Sequence, residues 1–417
     1  MQVNRTSLGL RITFVILTVS LLAANCVATE KVLHNFGISG NDGQRPGAGL
    51  IFDSAGNLYG TTVGGGSKGA GTAFETSPNG SGSWTTKVLH NFGISKDEGT
   101  NPEAGLIFDG AGNLYGTTFY GGSEGYGTVF ELTPNGSGGW TEKVLHNFGN
   151  DGGARPQAGL IFDTSGNLYG TTTRGGSADW GTVFELTPNG SGGWTERVLH
   201  NFDIADGVVP TAPLIFDGSG NLYGTTDYGG SGSGCAQGPG CGTVFEMTPN
   251  GSGGWTERVI HNFGIGGDDG QFPSAGLTLD SAGDLYGTTY AGGSKGDGTV
   301  FEMTPNGSGG WTERAIHNFG IGENDGAEPE AGLIFDSAGY LYGTTYAGGS
   351  KGGGTVFELT PNGSGGWTEG VIHNFGIGEN DGVGPEAELI FDGAGNLYGT
   401  TFFGGSEGDG TVFEVMP

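Results

Sequence analysis

Short runs of alternating apolar and polar residues, each closed by Gly, Pro, Asn or Asp, recur along almost the whole chain. One stretch, Pro102 to Phe148, reads PEAGLIFDGAGNLYGTTFYGGSEGYGTVFELTPNGSGGWTEKVLHNF and holds four of them: AGLIFD, NLYGTT, GTVFELT and WTEKVLHNF. All are too short for a helix, and their period of two marks strands with one face turned inward. A G-A-G turn joins the first two, with Asp109 placed to accept hydrogen bonds from turn amides. PNGSGG joins the last two, and its Asn135-Gly136 pair favours the positive φ of a hairpin. The stretch predicts a four-stranded antiparallel meander.

The meander is repeated. His34, His90, His146, His200, His261, His317 and His373 each open an HNF triplet, at spacings of 56, 56, 54, 61, 56 and 56, and they are all the histidines present. An open solenoid needs terminal repeats with a polar outer face, yet the first and last units carry the same apolar pattern as the middle ones. A lone fourth strand, Lys31 to Phe36, and a final third strand, GTVFEVM, are fragments of one blade. An all-β fold is therefore expected, a seven-bladed β-propeller closed by pairing the N-terminal strand with the C-terminal three strands. The blades fall at approximately 46–92, 102–148, 156–202, 210–263, 273–319, 329–375 and 385–417 plus 31–36, so that 29–417 forms one domain.

The segments LHNF, GLIFD, GNLYGTT, GGS and GTVFELTPNGSGGW together resemble the GloVer tandem-repeat family of exported bacterial proteins, over essentially everything after residue 28. That resemblance implies export and a repeat fold, and it carries no established reaction or catalytic residues. A looser similarity, in D-x-x-G-N-L-Y, is to strand pairs of NHL-type and lyase- or lactonase-type propellers.

Composition narrows the partners. The 94 Gly of the 417 residues do not fall at every third position, which separates the chain from collagen. With 15 Lys+Arg against 44 Asp+Glu the formal charge is −29, which argues against nucleic acid and anionic membrane surfaces. Residues 1–28 read as a secretory signal: Arg5 and Arg11 precede the apolar stretch Ile12 to Ala24, which is too short for a comfortable span, and small residues follow to Ala28. The mature chain is then secreted, or held in the periplasm or cell envelope, without a transmembrane segment. A lipoprotein anchor at Cys26 is the alternative, weakened by Asn25. In an oxidising compartment Cys235 and Cys241 should form a loop-closing disulfide, peripheral to the core, rather than half a zinc site.

Repeated residues are expected to build the ring. The histidines lie on outer strands, spread round the circumference where they cannot converge on one ion, so hydrogen bonding is their expected role. Asp53, Asp109, Asp163, Asp217, Asp280, Asp336 and Asp392 read as turn caps. Glu75, Glu131, Glu185, Glu246, Glu302, Glu358 and Glu414 read as partners of fourth-strand Lys or Arg such as Lys143. The N-G-S tripeptides serve as turns.

Function is expected on the face that carries the loops between strands two and three and between blades. Acidic turns there (Asn41-Asp42, Asp97-Glu98, Asp151, Asp206, Asp268-Asp269, Asn324-Asp325 and Asn380-Asp381) resemble fragments of calcium loops without the full ligand series. Calcium is thus the candidate cofactor, set against a reading as solvated turns. Loop aromatics, Tyr120, Tyr126, Tyr228, Tyr290, Tyr346 and Phe403, suit carbohydrate or extended peptide and equally suit packing. Departures from the repeat cluster in blades three and four, so Arg174, Trp180, Asp227 and Tyr228 are the candidate ligand-binding residues, with Tyr346 expected on the far side of the ring. Glu388, which replaces a Gly on the last innermost strand, joins them as a residue pointing into the channel. The resulting reading is an exported, monomeric, non-catalytic binding or surface-interaction module. The alternatives are a metal-assisted lyase or lactonase-type enzyme and a purely structural envelope protein.

Overall fold

A computed structural model describes residues 29–235 and 238–417; the expected signal segment and Cys26 lie outside it. Seven four-stranded antiparallel sheets form the blades, five two-stranded ribbons join their loops, and no helix occurs among the described residues. Blade one runs Ile51–Phe52, Leu58–Thr62, Thr72–Pro78 and Trp84–Asn91 from innermost to outermost strand. Blade seven combines Ile390–Phe391, Leu397–Thr401 and Thr411–Met416 with Thr29–Asn35. In that closing pair Val32 lies opposite Phe413 and Asn35 opposite Thr411, so the ring is closed by its own first strand.

The core is divided among seven apolar clusters, one per blade junction. At the first junction Tyr59 of blade one meets Phe108 and Trp140 of blade two edge-on, and Phe92, from the HNF triplet, meets Phe130. The outer strand is bulged here, with Val129 opposite His146 and Phe130 opposite Val144. The unpaired Leu145 is buried in the next junction's cluster, as expected where a bulge re-aims a side chain.

Innermost strands are shorter than the six-residue run AGLIFD predicts, pairing over two residues only, as at Ile107–Phe108. The preceding residues belong to the ring rather than to the blade. Thr61 of blade one donates its hydroxyl to the Ala104 carbonyl of blade two at 2.8 Å, and Thr400 of blade seven does the same to Ala48 of blade one at 3.1 Å. Around the axis Gly105 and Gly332 stand where a Cβ would press on the preceding blade's backbone, at 3.2 Å from the Gly49 carbonyl and 3.3 Å from that of Gly276.

The glycine of NLYGTT has a different role. It keeps an ordinary φ, but a Cβ on Gly343 would come within 2.7 Å of Phe357 and 2.8 Å of Leu333. Gly343→Ala is expected to destabilise by about 1–3 kcal/mol through overpacking; a denaturant titration with an unchanged midpoint would count against this packing.

The repeated acids take the structural roles expected of them. Asp109 accepts from the amides of Ala111 and Asn113 at 2.8 and 2.9 Å, and from the Asn113 side chain. Glu185 and Glu302 pair with Arg197 and Arg314 at 2.6 and 2.5 Å. Lys143 departs from the expected pairing: although opposite Glu131 in register, it donates to the Gly192 carbonyl of the next blade at 2.7 Å. Tyr115 binds Glu131 instead, at 2.9 Å. The structure joins Cys235 to Cys241, and Cys241 is fully buried in the cluster between blades four and five. That corrects the expectation of a bridge peripheral to the core.

Candidate functional site

The open face is organised by a device that the strand pattern does not reveal. In every blade the residue before the repeated proline has positive φ, from 57° at Arg155 and Glu328 to 60° at Phe272, and 66° at Gly384. A left-handed, non-glycine residue costs about 1–2 kcal/mol, and here two backbone hydrogen bonds hold it. Glu328 donates to the Asp297 carbonyl at 2.8 Å, and its own carbonyl accepts from Tyr346 at 3.0 Å. Because the backbone is clamped from both sides, the side chain at this slot is free to vary: Arg45, Asn101, Arg155, Val209, Phe272, Glu328 and Gly384.

The slot after the proline varies too, through Gly47, Glu103, Gln157, Thr211, Ser274, Glu330 and Glu386, and it opens into the central channel. The channel holds a cavity of about 900 Å³ lined by five carboxylates, Glu103, Asp227, Glu330, Glu386 and Glu388. Three aromatic rings, Tyr228, Phe272 and Tyr290, share the lining, and no Lys, Arg or His is among the residues that form it. Tyr228 and Phe272 pack with centroids 5.2 Å apart.

Burial away from bulk water, with added repulsion from neighbouring carboxylates at Glu330 and Glu386, holds these acids partly neutral. Burial pushes Glu103 up to about 7, and burial with the charges of Glu328 and Asp227 does the same to Glu330. Glu386 rises to about 8 through burial and then through Glu330 and Glu103. Asp227 also reaches about 7 by burial, although it accepts a hydrogen bond from Thr211 at 2.7 Å. Glu388 is surrounded by protein yet open to the cavity, and burial lifts it to about 7.

Each of these carboxyls binds its proton more tightly in the folded chain than in the unfolded one. Their contribution to stability is therefore complete below the ordinary carboxylate range, near pH 4.5, and is lost as pH rises through 7 to 8. The thermal midpoint should fall between pH 6 and pH 9. Glu330→Gln with Glu386→Gln should flatten that fall, and an identical slope in the double variant would contradict the assignment. His146, held near 4 by burial, acts in the opposite sense, its contribution being lost as pH falls below 6.5.

The structure divides the residues singled out in the sequence between two places. Asp227, Tyr228 and Glu388 line the channel cavity. Arg174 and Trp180 lie outside it, on a shelf. The Arg174 guanidinium sits 5.9 Å from the Trp180 ring centre, and Trp180 borders a shallow depression with Asp203, Ile204 and Ala205. Trp180 also packs on the apolar cluster between blades three and four. The two places touch through the backbone, since Val209 donates to the Trp180 carbonyl at 3.0 Å and accepts from the Asp227 amide.

Glu103, Glu330 and Glu386 escaped the sequence reading, although aligning the seven repeats exposes their slot as the variable position between Pro and Ala. Tyr346, expected on the far side of the ring from blades three and four, is on blade six near Glu386, Glu330 and Glu328 and is not among the residues that line the cavity. Opposite blades are far apart round the circumference but line one channel. The histidines remain on the circumference, each facing an acid of its own junction, as His34 faces Asp42 at 3.2 Å.

The Gloeobacter/Verrucomicrobia repeat matches residues 20–237 and 235–417 of the chain. No curated protein matches the sequence. Among solved structures, the extracellular domain of BT3049 from B. thetaiotaomicron, described as a hybrid two component system, is similar over 94% of this chain at 13% identity, with a TM-score of 0.52. The extracellular domain of BT4673 from the same organism, described as a one component system, is similar over 92% at 11% identity, with a TM-score of 0.51. This chain spans only 41% and 42% of those two, and at such identities the likeness is one of fold.

Proposed function

The chain belongs to the Gloeobacter/Verrucomicrobia repeat family, and from that premise we propose that it is an exported, non-catalytic binding module whose ligand enters the open-face mouth of the channel. One observation carries this reading. Positions kept in all seven repeats are spent on turns, ion pairs and junctions, whereas the positions that vary place five carboxylates and three aromatic rings round one cavity. Unlike groups gathered at one place can orient a single ligand, which identical copies cannot.

The lining also favours a chemistry. Uncompensated carboxyls favour a ligand carrying amino groups, and the aromatic faces suit sugar rings or peptide side chains. The proposed ligand is therefore an amino-substituted carbohydrate or the basic end of an extended peptide. Arg174 and Trp180 extend the site outward for a longer ligand. Export is supported by the charged-then-apolar pattern of residues 1–28 and by the Cys235–Cys241 bridge, which suits an oxidising compartment.

The test is a direct binding comparison at pH 8 of glucosamine hexamer, lysine hexapeptide, and neutral hexamers of glucose and alanine. Binding of an amine-bearing probe at least tenfold tighter than its neutral counterpart is expected. Preference for the neutral probes would remove the acidic cup from the reading.

A further inference from the structure

Five of the seven blade junctions carry a histidine on one outer strand, an acid in the linker that follows it, and the glutamate of the WTE segment on the next blade. Between blades four and five the trio is His261, Asp269 and Glu313; between blades six and seven it is His373, Asp381 and Glu30. In both trios the three ligand-type atoms lie within 4.8 Å of one another. In both, the histidine Nε2, aspartate Oδ1 and glutamate Oε1 are buried without any hydrogen-bond partner. The aspartate side chains are 9% and 7% exposed. Their other oxygen is fixed by the amides of Ile265 and Ile377, at 3.0 and 2.9 Å.

Hydrogen bonding does not account for this arrangement. A third trio, His200, Asp206 and Glu257, also lies within 4.8 Å, but there the imidazole closes on the aspartate at 3.0 Å and only Glu257 Oε1 is left without a partner. In the two orphaned trios they stand 3.5 and 3.7 Å apart. Two ligands each about 2.0–2.1 Å from one tetrahedral ion are separated by roughly 3.3–3.5 Å. One imidazole nitrogen with two carboxylate oxygens suits a borderline divalent ion such as zinc, and suits calcium poorly, since calcium takes about six to eight oxygens.

We propose that these two junctions are divalent transition-metal sites, each holding a zinc-class ion through His Nε2, Asp Oδ1 and Glu Oε1. Each ion pins two consecutive blades together at the circumference, because its ligands come from both. The histidines do not converge on one ion; each instead finds ligands at its own junction. The same three atoms are orphaned at His317, Asp325 and Glu369, where the chemistry would be the same.

The rest of the ring supplies contrasts within one chain. Thr86 stands in place of the glutamate in blade one. Glu98 reaches His90 directly in a hydrogen bond. Between blades two and three the linker brings Gly152, not an acid, against Glu196.

The experiment strips the purified full-length protein with chelator, adds zinc alone, and counts bound metal by mass spectrometry while following thermal unfolding. At least two zinc ions per chain are expected, with a midpoint raised by about 3–6 °C by zinc and not by calcium. Glu313→Thr and Glu30→Thr should each lose one ion. Threonine is chosen because Thr86 already holds that strand position in blade one, so the variants keep the fold. Fewer than two zinc ions per chain overturns the proposal, as does a full complement retained by the double variant.

Discussion

Removal of residues 29–36 is expected to yield an aggregating protein rather than a slightly weakened propeller. The segment supplies the whole outer strand of blade seven, so its loss leaves Thr411–Met416 as an unpaired edge, a template for pairing with other chains. It also supplies Leu33 and Phe36 to the cluster that joins blade seven to blade one, and Phe36 is fully buried there against Phe74. Phe36→Ala alone should cost about 3–5 kcal/mol, the usual range for emptying a buried aromatic site. The Lys31–Glu414 pair is long, at 3.8 Å, with its lysine 39% exposed, and contributes little. Size-exclusion chromatography and thermal melting read the result. A deletion that stays monomeric with an unchanged midpoint would contradict closure by this strand.

The second large effect is expected at the channel mouth. Glu330→Gln with Glu386→Gln should weaken lysine hexapeptide about a hundredfold at pH 8, since hydrogen bonds to charged groups contribute about 1.5–3 kcal/mol each. At pH 5.5 the same double variant should matter far less, because Glu330 and Glu386, lifted to about 7 and about 8, are then protonated in the free protein. Trp180→Ala and Arg174→Ala should weaken a long ligand that reaches the shelf and leave a dipeptide unaffected. Calorimetric titration at both pH values checks all four. Equal losses at the two pH values would mean that the carboxyl charges are not what the ligand meets.

The ring was legible in the sequence because each blade solves the same physical problem seven times. The alternation in GTVFELT, the Asn-Gly turn and the HNF triplet point to one structure, so periodicity alone recovered the meander, the blade count and the closing strand. The turn role of Asp109 followed from local chemistry and needed no tertiary information. The ion pair expected of Lys143 failed for the opposite reason. Its position opposite Glu131 is local, but the carbonyl of Gly192 that captures it belongs to the next blade.

The cup was harder to read. Glu103, Glu330 and Glu386 belong to different blades, from 56 to 283 positions apart along the chain, and meet only because seven innermost strands converge. Glu330 and Asp227 show the same limit: sequence order sets blade six apart from blade four, while both carboxyls line the one channel. The junction trios were invisible in a similar way, since His261 and Glu313 sit on different blades.

Hydrogen exchange of the protein, free and saturated with lysine hexapeptide, tests most directly whether the varied slots form the binding site. Protection is expected in segments 101–106, 327–333 and 383–389, and around Asp227 and Tyr228, all at the open-face mouth of the channel. The turns of the opposite face, such as 135–139, should exchange as in the free protein. Protection of those turns with none at the channel mouth would contradict the assignment.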